Sequence, residues 1–175
     1  MRTRMHTITA LTAAGLLALT ACGSNDSTSS DKASSGPSAS SAHSDTSTEP
    51  LDAEQVTKAL AKAIDDAKPA TVYTAASDPN NLLGRPGGYT SKADFTDDRA
   101  KPKLDDEVQN GGSVEVYDDP ADAEERAEFI ADTLDKMKIF GTEYHYLKGG
   151  TLLRVSGALT PEQAAEYEAA LKTLD

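Results

Sequence analysis

The chain has 175 residues, of which 38% are hydrophobic and none is tryptophan, and its formal net charge at pH 7 is -12. This length accommodates one ordinary domain plus accessory segments. Phosphate binding depends on clustered Lys and Arg, and because the sequence has no basic block we expect no nucleic-acid partner. The single cysteine, Cys22, excludes an intrachain disulfide, so the fold must rest on its apolar core.

The first 21 residues have the features of an export signal. Arg2 and Arg4 precede an apolar stretch over residues 8–19, which is shorter than the roughly 20 residues that a membrane-spanning helix needs. The stretch ends in Leu19-Thr20-Ala21-Cys22, which resembles the lipobox of bacterial lipoproteins: a leucine, two small residues and then cysteine.

That resemblance implies a defined processing chemistry. Signal peptidase II would recognise Leu19, Thr20 and Ala21 and cut before Cys22, and the sulfur of Cys22 would carry a diacylglyceryl group. Two acyl chains hold a protein stably on a membrane, so the mature chain is expected on the extracytoplasmic face of the cell membrane. The alternatives are an ordinary secretory signal cleaved elsewhere and an uncleaved signal anchor.

Residues 22–50 are predicted to form a disordered tether behind the lipidated cysteine. Ser and Thr occupy 14 of the 28 positions from 23 to 50, and the only apolar side chains there are three alanines. Such a segment cannot bury enough surface to offset the entropy of ordering the chain. We expect it to act as a flexible spacer.

Residues 51–175 predict a single α+β domain, whose first half begins with a capping box at Asp52 and Gln55. The helix is expected to continue to Pro69 along an apolar stripe of Val56, Leu60, Ala63, Ile64 and Ala67. Strands are predicted over residues 71–76 and 89–95, with a turn-rich loop between them. Polar and apolar residues alternate in the second strand, which is the half-buried pattern. Residues 97–112 are predicted to be loop.

The second half begins with a short strand around Val114 and Val116, followed by a helix capped by Asp119 with Pro120 at its first position. Two strands, 143–147 and 152–156, flank the hairpin turn Gly149-Gly150. A last helix starts at Thr160, and its buried face is formed by Ala164, Tyr167, Leu171 and Leu174. The order α-β-β-β-α-β-β-α predicts a mostly antiparallel sheet of about five strands with helices packed on one face.

One group of residues in the domain has the composition of a catalytic cluster. A two-residue turn at Gly149-Gly150 places His145 opposite Arg154, on a face that also carries Glu143. These residues could bind an anion or polarise a substrate group. The interpretation we favour is the solvated outer face of a half-exposed sheet, with no catalytic residue. The sequence has neither the residue spacing of a metal site nor a cofactor motif, so none is expected.

Two surfaces are predicted for partner binding: the loop over residues 78–88 and the exposed face of the sheet. The loop carries two large apolar residues, Leu82 and Leu83, followed by Arg85, and Tyr89 stands at its exit. Exposed Leu and Arg on a loop are typical of recognition surfaces. The interpretation we favour for the loop itself is that Leu82 and Leu83 fold back to cap one end of the core and leave Arg85 solvated.

Residues 78–95 and the run from Leu152 to Pro161 resemble small uncharacterised lipoproteins of high-GC Gram-positive bacteria, which implies a location but no activity. The sequence thus favours a membrane-anchored, non-enzymatic module that binds an envelope component, such as a protein. One alternative is a surface hydrolase or transferase that uses Glu143, His145 and Arg154. Another is a small solute- or cation-binding lipoprotein.

Overall fold

Three α-helices and one five-stranded sheet make up the fold that the computed structural model describes for residues 50–102 and 106–174. These residues all belong to one unit of the chain, Thr46–Asp175. The predicted signal peptide, the lipidation site Cys22 with Leu19, Thr20 and Ala21, and all of the predicted tether except Pro50 lie outside the described residues.

The predicted α+β class, the antiparallel sheet and the order of elements are confirmed. The helices are α1 (Ala53–Ala63), α2 (Pro120–Lys136) and α3 (Pro161–Thr173), and a short 3-10 helix, Lys138–Phe140, follows α2. The strands are β1 (Ala67–Val72), β2 (Ser91–Asp97), β3 (Gly111–Val116), β4 (Glu143–Lys148) and β5 (Thr151–Ser156). They are arranged β1-β2-β3-β5-β4, and every neighbouring pair is antiparallel.

The helix starts follow the predicted caps. The Asp52 side chain accepts the Gln55 N–H while the Gln55 side chain accepts the Asp52 N–H, and Thr160 and Gln163 form the same reciprocal pair at α3. Asp119 caps α2 through the N–H of Ala121, with Pro120 at the first position. Each cap satisfies backbone donors that the first helical turn leaves without a partner.

The end of α1 differs from the prediction. The helix stops at Ala63 because Ile64 adopts an extended conformation, and Ala67 begins β1 instead of completing the helical stripe. Strand β1 is therefore shifted by four residues from the predicted 71–76. Its Pro69 has no N–H to donate, and the register is irregular between Pro69 and Val72, as is usual for proline on an edge strand.

The β4–β5 hairpin has the predicted two-residue turn. Lys148 pairs with Thr151 and His145 with Arg154, and Gly149 adopts a positive φ of 52°. Glycine tolerates that conformation without steric cost. The register therefore turns Tyr144, Tyr146, Leu153 and Val155 towards one face of the sheet, where they join the core with α1 and α3.

The sequence predicts that all helices pack on one face of the sheet, and this part of the prediction is wrong. Helices α1 and α3 pack with Val114, Val116 and Leu153, whereas α2 packs with Leu152, which points to the opposite face of β5. The sheet is therefore covered on both faces. The half-buried pattern predicted for β2 is also wrong. Lys92 and Asp94, expected on the solvent side, are buried, and both contact Tyr73.

Candidate functional site

Five ionisable side chains form a connected network between α2 and the sheet, which we call the charge network: Glu115, Arg126, Glu143, His145 and Arg154. Arg154 donates from Nε and Nη2 to the two carboxylate oxygens of Glu143, both at 2.8 Å, and from Nη1 to Oε1 of Glu115 at 3.1 Å. Arg126 donates from Nε to Oε2 of Glu115 at 3.2 Å. Nε2 of His145 lies 3.0 Å from Oε2 of Glu143.

The charge network is buried, which corrects the expectation of a solvated face. The side chain of Glu115 is 0% exposed, that of Glu143 is 4% exposed and that of Arg154 is 11% exposed. Helix α2 lies over β4 and β5 and brings Arg126 to the carboxylate of Glu115. The structure therefore does bring Glu143, His145 and Arg154 together, but under a helix instead of on an outer face.

The electrostatics of the network keep Glu143 ionised. Burial alone would raise the pKa of Glu143, but the hydrogen bonds and charges of His145 and Arg154 outweigh burial and lower the pKa to about 2. In the same way, Glu143 and Glu115 overcome the effect of burial on Arg154 and raise its pKa. A carboxylate with a pKa this low is deprotonated and only weakly basic near neutral pH, so Glu143 is poorly suited to general acid or base catalysis.

Ser156 carries a hydroxyl on the same hairpin face as Glu143, and this hydroxyl forms hydrogen bonds with other groups. Ser156 pairs with Glu143 across the hairpin, but its Oγ donates to the carbonyl of Gln109 at 2.7 Å and accepts the N–H of Ala158 at 3.1 Å. A serine nucleophile needs a base that takes its proton. His145 instead contacts Glu143, so the side chains are not arranged as a nucleophile and its base.

A second buried polar group lies on the same face of the sheet. It consists of Lys92 and Asp94 on β2, Ser113 on β3, and Tyr73, which follows β1. Tyr73 donates to Oδ2 of Asp94 at 2.5 Å, and Nζ of Lys92 lies 4.1 Å from the centre of the Tyr73 ring. Burial raises the pKa of Asp94, although the hydrogen bond from Tyr73 acts in the opposite direction. Among the described residues, Oδ1 of Asp94 and Oγ of Ser113 have no hydrogen-bond partner.

The four residues predicted to bind a partner do not form one exposed surface. Tyr89 is fully buried and donates to Oδ1 of Asp78 at 2.5 Å, and Oδ2 of Asp78 accepts the N–H groups of Leu82 and Leu83. Both leucines are partly buried against the core beneath α2. Arg85 alone is exposed, and it donates to the Asn81 side chain at 2.6 Å. This is the arrangement favoured from the sequence, in which both leucines fold back onto the core and Arg85 is solvated, whereas partner binding by the loop stays a prediction.

Large exposed apolar side chains lie instead in the second half of α2, at its C-cap and in the 3-10 helix. Phe129 is 61% exposed, Ile139 76%, Phe140 51% and Met137 44%, and we call these four residues the apolar patch. Phe129 and Phe140 line one cleft of about 260 Å³, the α2 cleft, whose other walls include Arg126, Glu143 and Arg154. None of the four is among the residues that the sequence predicts to bind a partner.

A second, larger concavity of about 370 Å³ lies at the other end of the domain. It is lined mainly by apolar side chains from the start of α1, the end of α3 and the neighbouring strand ends, among them Leu51, Val116 and Leu174. Its one lysine, Lys148, donates to the backbone carbonyl of Lys172. The groove therefore offers apolar contact but few polar groups that would orient a ligand.

Within residues 50–102 and 106–174, no three His, Cys, Asp or Glu side chains are grouped so that they could hold a metal ion. None of the described helices combines the length and apolarity that a membrane crossing requires. The sequence matches no protein-family model, and no similar curated protein or solved structure was found.

Proposed function

We propose that this chain is a lipoprotein held on the extracytoplasmic face of the cell membrane by a diacylglyceryl group on Cys22. The support is the sequence over residues 1–22: a basic start, a short apolar stretch and the box Leu19-Thr20-Ala21-Cys22. The Ser- and Thr-rich stretch that follows would separate the domain from the lipid surface.

Replacement of Cys22 tests the anchor. In Cys22→Ala, we expect metabolic labelling with a radioactive fatty acid to disappear, because the variant lacks the sulfur that would carry the lipid. The precursor should either accumulate uncut or be released from the membrane fraction. Mass spectrometry of the wild-type chain provides the opposing outcome: an unmodified Cys22 together with a cut at another position would refute the anchor.

We further propose that the domain is a non-enzymatic binding module for another envelope component, and that the apolar patch is its contact surface. The observation that carries this proposal is that the exposed side chains of Phe129 and Phe140 line one cleft, with the 76% exposed Ile139 next to Phe140 in the chain. Single exposed apolar residues are common on protein surfaces, but neighbouring large ones beside a cleft are typical of interaction sites. The hydrolase and transferase alternatives are less well supported, because Glu143, His145 and Arg154 bind one another.

Photo-crosslinking in intact cells tests the contact surface. A photoreactive amino acid at Ile139, the most exposed residue of the patch, should give a discrete adduct with one envelope component. The same group at Val72, an exposed apolar residue on β1, is the matched control and should give none. A third position, Arg85, reports on the loop over residues 78–88. Adducts at Arg85 but not at Ile139 would move the contact surface to that loop.

A further inference from the structure

The surroundings of the apolar patch are acidic. The outer side of α2 carries the exposed residues Glu125 and Glu128, which precede Phe129 by four residues and by one. Neither forms a salt bridge with a described residue. Asp122, one turn earlier, lines a neighbouring depression together with Glu125 and Phe129. Asp106 also lines the α2 cleft.

The cations nearest to the patch already have partners. Arg126 and Arg154 bind Glu115 and Glu143, so the charge network carries two arginines against two carboxylates. Towards the end of α2, Lys136 pairs with Asp132 at 3.5 Å, and Lys138 pairs with Asp135 at 2.5 Å. The charge left without a partner around Phe129 is therefore negative.

We infer that the apolar patch takes a cationic, amphipathic polypeptide segment of a partner protein. Its apolar side chains would contact Phe129, Ile139 and Phe140, and its Lys or Arg side chains would lie against Glu125 and Glu128. This inference rests on the proposed function, which makes the patch a contact surface, and adds the chemistry of the partner. Opposite charge around an apolar centre accelerates association with the right partner and disfavours like-charged ones.

Charge also argues against two other occupants of the patch. A second copy of this chain, with a net charge of -12, would place Glu125 and Glu128 against an acidic surface. An anionic membrane would be repelled by the same side chains, because attraction to such a surface requires clustered Lys or Arg. A cationic polypeptide alone satisfies both the apolar centre and the acidic border.

The test measures binding of three peptides of equal length to the full-length chain carrying Cys22→Ala, which lacks the proposed acyl attachment site. The first is an amphipathic Lys/Leu helix, the second is its Glu/Leu counterpart, and the third replaces Leu by Ser. Fluorescence anisotropy should show the Lys/Leu peptide binding at least tenfold more tightly than either of the others. Its affinity should fall as salt is raised, because exposed charges are screened.

Two pairs of variants separate the apolar and the charged contributions. Phe129→Ser with Phe140→Ser should weaken Lys/Leu binding at least tenfold, and Glu125→Gln with Glu128→Gln about fivefold. The matched controls are Val72→Ser for the apolar change and Asp65→Asn with Glu162→Gln for the charge change, since these side chains are exposed elsewhere on the domain. Both controls should stay within twofold of the parent chain, with all melting temperatures within a few degrees.

The outcomes distinguish this inference from the proposed function. If the Glu/Leu peptide bound as tightly as the Lys/Leu peptide and the phenylalanine variants weakened both, the patch would remain a contact surface but its partner would not be cationic. Preferential binding to vesicles of anionic phosphatidylglycerol would also overturn the inference, in favour of a lipid surface. If the phenylalanine variants changed no affinity and Ile139 gave no adduct in cells, the proposed function itself would fail.

Discussion

Arg154→Met is expected to lower the free energy of unfolding by about 3–5 kcal/mol at neutral pH. The substitution keeps an apolar stem of similar length but removes the guanidinium that binds Glu143 twice and Glu115 once. Both carboxylates are almost fully buried, so water cannot replace the lost donors. Uncompensated buried charge is among the few causes of a loss this large. Urea denaturation of the two proteins measures it.

The loss should depend on pH in a defined direction. In the parent chain the pKa of Glu143 is lowered from 4.5 to about 2, so its ionised form contributes stability above about pH 4.5, which is lost as the pH falls towards 2. Without Arg154, its hydrogen bonds and charge no longer lower the pKa of Glu143, so part of this contribution is absent. The difference between the two proteins should therefore be largest at neutral pH and shrink below about pH 4.5. An equal difference at pH 3 and pH 7 would mean that packing, not charge, causes the loss.

An exposed ion pair supplies the control for this substitution. Lys58 and Glu54 form a salt bridge on α1 with side chains 57% and 46% exposed. Lys58→Met makes the same kind of change as Arg154→Met but should alter the free energy of unfolding by about 0.5 kcal/mol or less. The comparison separates the effect of removing a cation from the effect of leaving buried carboxylates without one.

The features that the sequence predicts correctly are those decided within a few residues. The caps at Asp52 and Thr160 need only a side chain three positions later to complete them. The hairpin turn needs only a residue that tolerates a positive φ, which Gly149 provides. Once that turn is known, the register of β4 against β5 follows by counting, and with it the pairing of His145 with Arg154.

Burial of the second sheet face could not be predicted in this way. Glu115 and Arg154 occupy alternate polar positions on their strands, and in an antiparallel sheet such positions usually face water. Here they are buried because α2 crosses that face and contributes Arg126, which lies 11 residues from Glu115 along the chain. Local periodicity contains no information about which face a helix will cover.

Three residues of the apolar patch could have been identified in the sequence as large apolar side chains outside every predicted core position. Ala123, Ala127 and Ile130 define the buried face of α2, and Phe129 falls outside it. Ile139 and Phe140 lie between α2 and β4, where no predicted element would bury them. A search for large apolar residues that no predicted core accounts for would have selected these three. The two leucines of the loop over residues 78–88 give the more conspicuous sequence pattern for a binding site. In the structure, Asp78 accepts hydrogen bonds from their backbone N–H groups, and both leucines pack against the core.

Leu153→Ala is expected to lower the free energy of unfolding by roughly 2–5 kcal/mol, because it leaves a cavity in a core that packs at nearly crystalline density. Leu153 is 0% exposed and lies between Val114 and Tyr146 on the neighbouring strands. The matched control is Leu147→Ala on the same hairpin, where the side chain is 44% exposed and the expected change is about 0.5 kcal/mol or less. Chemical denaturation of both variants gives the two values.

A slip of one residue in the hairpin would exchange the faces of the strand, so equal losses at both positions would contradict the register. A large loss at Leu153 alone would support the arrangement in which one hairpin face carries the core and the other carries Glu143, His145 and Arg154.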